Sequence, residues 1–378
     1  MDSIYHKRNI EIPLKEFLFR DRAIVLLGPR RVGKTTLYKH LMETGGKDSV
    51  YFNCDEIATQ ELLQPYSLET IKHIIGQKKL VVIDEAQKVK NIENTIKLIV
   101  DNIADVQVLI TGSNSLDLGR KIKENLTGRI IELYINTFTL DELYEKDVQK
   151  IMNSLNHHLI YGTYPHIQGE DIKFQEKNLK DLSQKHLVRD LQDTNMTFNS
   201  ILMQDLLRVL AHSVGSEMTY NSLSNKLGVN KETIQRYIYI LEKSYIIFRI
   251  YPYRKNAGKT VNRIRKVYFY DNGLRNALID DFKPLAIRND VGALFENFIY
   301  SEIYKTHQAK ERDSNFFYWR NNKKQEVDLV IQKNNLFTAF EFKYSKDRFS
   351  TPKAILNDLE IDEVKLINKN NFYTIYSI

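Results

Sequence analysis

The chain has 378 residues, of which 42% are hydrophobic and 27% are charged, and its formal net charge is +7. This composition is typical of a globular protein of two or three domains, and no apolar run reaches the roughly 18 residues that a membrane span needs. The single cysteine, Cys54, excludes an intrachain disulfide and a cysteine-based metal cluster. We expect a cytoplasmic protein without a membrane partner, whose positive charge permits a polyanionic one.

The first motif is LLGPRRVGKTTL at residues 26–37, which matches G-x-x-x-x-G-K-[ST]. An apolar, β-branched run precedes it and a helical pattern follows it, so the motif has the strand–loop–helix context of a phosphate-binding loop. Lys34 would reach the β- and γ-phosphates, and the Thr35 hydroxyl would bind Mg²⁺. The alternative is a basic turn between two buried elements. The residues assigned to the nucleotide are Gly28, Pro29, Arg30, Arg31, Val32, Gly33, Lys34, Thr35 and Thr36.

A second apolar strand, KLVVIDEAQKV at residues 79–89, ends in two acids. Because ligands of open α/β sheets lie at the carboxyl ends of strands, Asp84 is expected to hold Mg²⁺ beside the bound nucleotide. Glu85 is expected to orient and polarise the attacking water. ATP and Mg²⁺ are therefore the predicted cofactors. The alternative is a strand that ends in a solvated acidic turn.

A third strand, VQVLITGSNS at residues 106–115, ends in small polar residues. Many motor ATPases carry a polar residue at this point that senses the γ-phosphate. Asn114 is the candidate for that role, with Ser113 second. The alternative is plain turn chemistry, which Gly-Ser-Asn-Ser also suits.

The next stretch, NLTGRIIELYINTFTLDEL at residues 125–143, completes a pattern that resembles the AAA+ ATPases. Within that class the sequence resembles a prokaryotic group in which the ATPase precedes a C-terminal domain of unknown function. The resemblance makes Arg129 a candidate arginine finger that acts on the nucleotide of an adjacent subunit, and so implies a homo-oligomer. The alternative is a surface arginine in a salt bridge. The motifs that carry the resemblance are GPRRVGKT, VVIDEA, ITGSNS, GRIIEL and TFTLDEL.

Residues 1–145 are thus predicted to form the ATP-binding domain, and residues 146–198 a helical lid over the nucleotide. The turn HHLIYGTYPHI (157–167) resembles a Gly-Gly-Tyr-Pro-like turn of the same group, although Tyr161 replaces the first glycine. Arg189 could contact phosphate, or could pair with Asp190.

Residues 199–285 resemble a winged helix-turn-helix, with a tight turn at Gly228 and a helix cap at Asn230. The segment 249–266 follows with seven basic and no acidic residues, as expected of a wing that contacts DNA phosphates. The alternative is a winged helix that binds protein. The residues assigned to DNA are Lys231, Gln235, Arg236, Arg254, Lys255, Lys259, Arg263 and Arg265.

Residues 286–378 resemble the PD-(D/E)xK nuclease core, in which an acid, a hairpin and Glu-x-Lys follow one another. Asp328 and Glu341 would share Mg²⁺, Glu296 would add a ligand, and Lys343 would orient the water or stabilise the transition state. Val327 stands before Asp328, so the opening Pro-Asp is absent. Since nuclease folds also persist as binding scaffolds, cleavage and docking both stay open.

The predicted fold class is α/β: a P-loop AAA+ ATPase with a parallel sheet and flanking helices, then a helical lid, a winged helix and a C-terminal α/β nuclease-like domain. The predicted function is ATP hydrolysis coupled to action on DNA. The alternative is a nucleotide-dependent switch whose C-terminal domains bind protein partners and cut nothing.

Overall fold

The computed structural model describes residues 5–45, 48–64, 67–112, 125–187, 198–254 and 265–378. Two β-sheets organise these residues, one before residue 135 and one after residue 216. The protein has a mixed α/β fold: a parallel sheet with flanking helices, followed by a C-terminal part built on its own sheet.

The first sheet has five parallel strands: β1 (Ala23–Leu27), β2 (Ser49–Asn53), β3 (Leu80–Asp84), β4 (Gln107–Gly112) and β5 (Ile130–Tyr134). Their order is β2-β3-β4-β1-β5. Every residue of β1 is buried, which agrees with its unbroken apolar sequence. Because all strands are parallel, the ends of β1, β3 and β4 meet at one edge, and polar side chains that follow them come together there.

Helices and short turns connect and cover this sheet. After the sheet, Asp147 caps one helix and Asp171 caps the next, and most of residues 148–186 lie in helices. The helices are α1 (Glu11–Phe17), α2 (Lys34–Gly45), α3 (Ile57–Leu62), α4 (Leu68–Ile75), α5 (Ile92–Asn102), α6 (Leu140–Leu143), α7 (Val148–Tyr161) and α8 (Ile172–Asp181), with a π-helical turn at Leu182–His186 and 3₁₀ turns at Ala86–Lys88 and Pro165–Ile167.

The second half of the chain alternates helices and strands. Its elements are α9 (Ser200–His212), β6 (Glu217–Met218), α10 (Tyr220–Leu227), α11 (Lys231–Lys243), β7 (Ile247–Pro252), β8 (Arg265–Phe269), α12 (Asn272–Leu278), α13 (Val291–Ala309), β9 (Asn315–Arg320), β10 (Glu326–Lys333), β11 (Leu336–Phe342), α14 (Lys353–Leu359) and β12 (Val364–Ile367), with 3₁₀ turns at Leu285–Ile287 and Phe372–Ser377. None of the helices in the described ranges combines the length and apolar character that a bilayer span requires.

Local signals explain the turn before α11. Gly228 has a φ of +66°, and the Asn230 side chain accepts a hydrogen bond from the Thr233 N–H at 2.7 Å. Ile234 and Ile238 are fully buried, as the helical spacing predicts. The sequence-based prediction of this turn and cap is therefore confirmed.

The second sheet has seven strands in the order β12-β11-β10-β9-β7-β8-β6. The parallel pairing of β7 with β9, in which Tyr251 faces Phe317, joins the hairpin β7–β8 to the C-terminal strands. One sheet thus runs across the boundary that the sequence predicts at residues 285/286. Side chains of β8 consequently meet side chains of β10.

Candidate functional site

The loop of residues 28–33 connects β1 to α2 and approaches other backbone closely. A Cβ on Gly28 would lie 1.9 Å from the Ile135 carbonyl oxygen, so only glycine fits. Gly33 has a φ of +94°, in the region that favours glycine. Helix α2 begins directly after it, at Lys34. Both glycines of the motif are therefore required by the backbone.

Lys34 is buried against this loop. Its Nζ donates hydrogen bonds to the carbonyl oxygens of Gly28 at 2.9 Å and Pro29 at 2.8 Å. The ammonium group therefore lies next to the N-terminus of α2, where the helix dipole and the first backbone N–H groups favour an anion. This part of the site suits a phosphate group.

Asp84 ends β3 and accepts hydrogen bonds from three hydroxyl groups. Thr35 Oγ1 lies 2.7 Å from Asp84 Oδ2, Tyr51 Oη lies 2.5 Å from the same oxygen, and the Thr111 hydroxyl donates to Oδ1. Burial, together with the Asp84 carboxylate, raises the pKa of Tyr51. The loop and the ends of β3 and β4 are thus tied together at one carboxylate.

The Thr35–Asp84 pair fits a magnesium ion. A hydroxyl and a carboxylate are the hard oxygen ligands that Mg²⁺ prefers, and this ion usually takes its other ligands from phosphates and water. The predicted nucleotide-associated metal is therefore compatible with the residues present.

Glu85 follows Asp84 with a φ of +54°, which is uncommon for a residue other than glycine. Its backbone N–H donates to Thr111 Oγ1 at 2.9 Å, and its side chain accepts from Gln87 Nε2. Glu85 also lines the cavity above the loop. The left-handed turn therefore presents a carboxylate to the cavity without removing Asp84 from its own contacts.

This cavity has a volume of about 810 Å³, within the usual range for small-molecule sites. The loop residues Arg30, Arg31, Val32 and Thr36 line it together with Gly33, Lys34 and Thr35. Three further segments line it: the N-terminal residues, the turn after Gly162 and the residues after β5, none of whose side chains is assigned to the nucleotide from the sequence. These segments supply Tyr5, His6, Phe138, His166 and Gln168.

Arg8 fastens the first of these segments to the loop. Its Nη1 donates to the Val32 carbonyl oxygen at 2.8 Å, and its Nη2 donates to the Asn136 carbonyl oxygen at 2.6 Å. The guanidinium group also lies 4.4 Å from the centre of the Phe138 ring. Arg8 thus holds the loop, the N-terminal segment and the residues after β5 in one arrangement.

The second segment is the turn that begins at Gly162, which has a φ of +72°. Asp271 Oδ2 accepts a hydrogen bond from the Thr163 N–H at 2.7 Å. His158 Nδ1 lies 2.8 Å from the Gly162 carbonyl oxygen, so this nitrogen is the donor and His158 Nε2 accepts from the Tyr144 hydroxyl at 2.9 Å. Burial lowers the pKa of His158 to about 3, in keeping with a neutral ring.

Of the other residues predicted for the nucleotide machinery, only Arg129 belongs to the described part of the chain, and it lies away from this cavity. Asn114, and Ser113 with it, lie outside the described residues, as does Arg189. Arg129 precedes β5 at the sheet edge opposite the loop, since the Ala23 N–H at the start of β1 donates to its carbonyl oxygen. Arg129 Nε lies 2.6 Å from Asp101 Oδ1, and the side chain is 38% exposed. The structure therefore keeps Arg129 out of its own chain's cavity.

In the C-terminal part, four acidic side chains form what we call the carboxylate cluster: Glu296, Glu326, Asp328 and Glu341. Glu296 lies on α13, Glu326 and Asp328 lie on β10, and Glu341 lies on β11. Burial raises the pKa of Asp328 well above its usual range, and the Glu296 carboxylate acts in the same direction. Three of these acids are the ones the sequence predicts, and Glu326 is an addition.

Sequence reasoning missed a lysine at the centre of this cluster. Lys266 on β8 is 3% exposed, and its Nζ lies 2.6 Å from Glu326 Oε1 and 3.1 Å from Glu296 Oε1. The predicted Lys343 contacts Glu341 Oε1 at 2.5 Å. Among the described residues, no group of three or more His, Cys, Asp or Glu side chains is arranged to hold a metal ion. A lysine ammonium group thus lies beside two of the three carboxylates that the sequence predicts as metal ligands.

The residues assigned to DNA divide into four groups. Arg236 and Arg254 are exposed, while Lys231 and Gln235 are half-buried on α11. Arg265 is 3% exposed and stacks 3.5 Å from the centre of the Tyr220 ring, so its side chain is not presented at the surface for the phosphate contact that the sequence predicts. Its position at the start of a buried strand is the physical reason. The remaining three, Lys255, Lys259 and Arg263, lie outside the described residues.

Comparison with known proteins gives a family for the first part of the chain. Residues 20–144 match the AAA domain family. Residues 152–285 and 291–374 match two families that are each described as a domain of unknown function, DUF8612 and DUF4143.

The curated relatives carry the likeness over most of the chain. A protein of Mycobacterium tuberculosis and one of Mycobacterium bovis, both described as uncharacterized, are each 25% identical over 96% of this chain and 80% of their own length. An uncharacterized protein of Methanocaldococcus jannaschii is 24% identical over 74% of this chain and 67% of its own.

Solved structures give weaker likenesses. The RuvB Holliday junction branch migration motor of Thermotoga maritima has a TM-score of 0.32 at 16% identity, over 64% of this chain and 88% of its own. A Drosophila ORC structure bound to AT-rich DNA and Cdc6 has a TM-score of 0.26 at 10% identity, over 73% of this chain and 93% of its own. Because both TM-scores lie below 0.5, we draw nothing from them.

Within residues 20–144, two residues of the site are not predicted from the sequence. The Tyr51 hydroxyl lies beside Asp84, but Tyr51 belongs to β2, a strand that the sequence pattern does not predict. Thr111 lies on β4, a strand that the sequence predicts. The signal that could have identified it is its position two residues before Ser113, the second candidate for sensing the γ-phosphate. Tertiary pairing of β2 with β3 brings Tyr51 to the site.

Proposed function

We propose that this chain is an AAA+ ATPase that binds ATP with Mg²⁺, hydrolyses it and uses the cycle to act on DNA. The observation that supports this most directly is the 2.7 Å hydrogen bond between Thr35 of the loop and Asp84 of β3, beside a cavity of about 810 Å³. The two signature motifs are thereby joined in one site.

The residues of this site divide the chemical work. Lys34 and the loop N–H groups bind phosphates, while Thr35 and Asp84 are the residues that would hold Mg²⁺. When bound, that ion neutralises charge on the phosphate oxygens. Glu85 orients the attacking water and accepts its proton. Phe138 and the N-terminal segment provide apolar and aromatic surface for the rest of the nucleotide.

Action on DNA is supported by the elements from α9 to β8. A helix, a short strand, two helices and a hairpin follow in the order of a winged helix, and α11 takes the place of its recognition helix. Lys231, Arg236 and Arg254 supply positive charge in this region. Together with the basic residues 255–264 of the sequence, they are suited to phosphate contacts.

For the C-terminal part, the buried Lys266 favours docking over DNA cleavage, because it contacts the carboxylates that would otherwise hold the metal ion needed for cleavage. This same observation, with the burial of Arg265, favours the second candidate: a nucleotide-dependent switch whose C-terminal domains bind a protein partner. Self-association through Arg129 is part of either proposal.

ATP turnover with and without duplex DNA tests the proposal and separates the two candidates. We expect turnover that duplex DNA stimulates, and its loss in Lys34→Ala. Lys39→Ala is the matched control, because Lys39 is exposed on the same helix outside the cavity. Turnover without stimulation would favour the switch, and wild-type turnover by Lys34→Ala would contradict the site.

A further inference from the structure

Basic side chains of the protein contact the carboxylate cluster. The one that contacts most of its members, Lys266, belongs to a different part of the chain. Lys266 Nζ contacts Glu326 Oε1 at 2.6 Å and Glu296 Oε1 at 3.1 Å, and it lies 3.9 Å from Asp328 Oδ1. One buried ammonium group therefore faces three of the four carboxylates. These three come from α13 and β10, whereas the lysine comes from β8.

Other groups of the protein also contact these acids. Tyr268 Oη donates to Glu296 Oε1 at 2.6 Å, and Arg320 Nη1 lies 3.3 Å from Glu326 Oε2. The Phe342 N–H donates to Asp328 Oδ2 at 2.9 Å. Lys343 lies 3.9 Å from that oxygen and contacts Glu341. Each carboxylate thus has a cation of the protein beside it.

The backbone pairing and burial of Lys266 hold it in this position. Its strand is paired on both sides, with Ile250 of β7 and with Glu217 of β6. Because the ammonium has little solvent contact, withdrawing it would leave buried charges without a partner, which strongly destabilises the protein. A second cation among the same oxygens would be repelled by the first.

We propose that Lys266 is the fixed cation of the carboxylate cluster and takes the place of the divalent metal ion that the Asp–hairpin–Glu-x-Lys pattern implies. The cluster then links β8 to the C-terminal strands through buried ion pairs. It follows that this chain holds no divalent metal there, and that removing the ammonium group creates a site for one.

Counting bound Mn²⁺ per chain by electron paramagnetic resonance, without nucleotide, tests this inference. We expect wild type and Asp328→Asn to bind the same number of ions. We expect Lys266→Met to gain one ion per chain, and the double variant Lys266→Met/Asp328→Asn to lose it again. A thermal unfolding midpoint that Mn²⁺ raises in Lys266→Met only, and no longer in the double variant, gives a second readout.

Two results would overturn the proposal: an ion in the wild type that Asp328→Asn removes, or a folded Lys266→Met that gains none. If Lys266→Met does not fold, the comparison of wild type with Asp328→Asn still shows whether the wild type holds an ion that depends on Asp328. ATP turnover measured on the same proteins keeps this test separate from the proposed function, since none of these residues lines the nucleotide cavity.

Discussion

Lys305 Nζ lies 2.7 Å from the carbonyl oxygen of Phe138, so helix α13 of the C-terminal part is hydrogen-bonded to a residue that lines the nucleotide cavity. The neighbouring Glu302 accepts a hydrogen bond from the Leu140 N–H at 2.8 Å and pairs with Lys305 at 2.7 Å. The same helix carries Glu296 of the carboxylate cluster. One helix therefore contacts both candidate sites.

Replacing Lys305 by Met should destabilise the protein strongly, because Glu302 would stay buried without its cation. Loss of one partner of a buried pair costs about 3–5 kcal/mol in the free energy of unfolding. Denaturant unfolding measures this. The control is Lys150→Met, since Lys150 pairs with Asp147 at 3.6 Å on the surface and is 69% exposed. We expect a change of less than about 1 kcal/mol there, and equal effects of the two variants would contradict the account.

His158 should make stability depend on pH. Burial lowers its pKa to about 3 from an ordinary 6.5, so between these values the unfolded chain binds the extra proton. The free energy of unfolding should therefore fall as the pH drops from about 6.5 toward 3. Unfolding of His158→Gln should depend less on pH across this window. At pH 8, where the ring is neutral in both states, that comparison gives the cost of the substitution alone. An unchanged pH dependence would show that His158 does not carry the effect.

Neutralising Lys231, Arg236 and Arg254 to Ala should weaken DNA binding and flatten its salt dependence. The slope of log affinity against log salt falls by about 0.9 for each duplex phosphate that the protein no longer neutralises. Binding titrations at several salt concentrations give this slope. Changing Lys150, Lys173 and Lys353 to Ala removes the same charge from exposed positions elsewhere. An equal slope in both triple variants would remove the α11 face from the interface.

Arg129→Ala should bind ATP but hydrolyse it poorly if this arginine acts on a neighbour's nucleotide. Mixing it with Lys34→Ala should restore part of the turnover, because some interfaces then pair an intact arginine with an intact loop. Arg208→Ala, which removes an exposed arginine of a surface pair, should turn over ATP as the wild type does. No recovery in confirmed mixed oligomers would leave Arg129 as the partner of Asp101 only.

The sequence was most informative where chemistry and turn geometry are local. The two signature motifs follow from residue type and spacing. The predicted hairpin between Asp328 and Glu341 is confirmed, since β10 and β11 pair in antiparallel fashion and Asn334 and Asn335 adopt φ values of +48° and +63° between them. The pairing of strands that are distant in the sequence could not be predicted. Lys266 stands in a basic run typical of an exposed wing, and only the pairing of β8 with β6 and β7 takes it into the interior.

The Glu85→Gln variant tests the central claim most directly, by separate measurement of ATP affinity and ATP hydrolysis. Glutamine keeps the size of the side chain but cannot accept the proton of the attacking water. We predict an ATP affinity close to that of the wild type and a hydrolysis rate lower by at least about 100-fold, the range for loss of a general base. Hydrolysis at the wild-type rate would contradict the assignment of Glu85, and with it the proposed catalytic site.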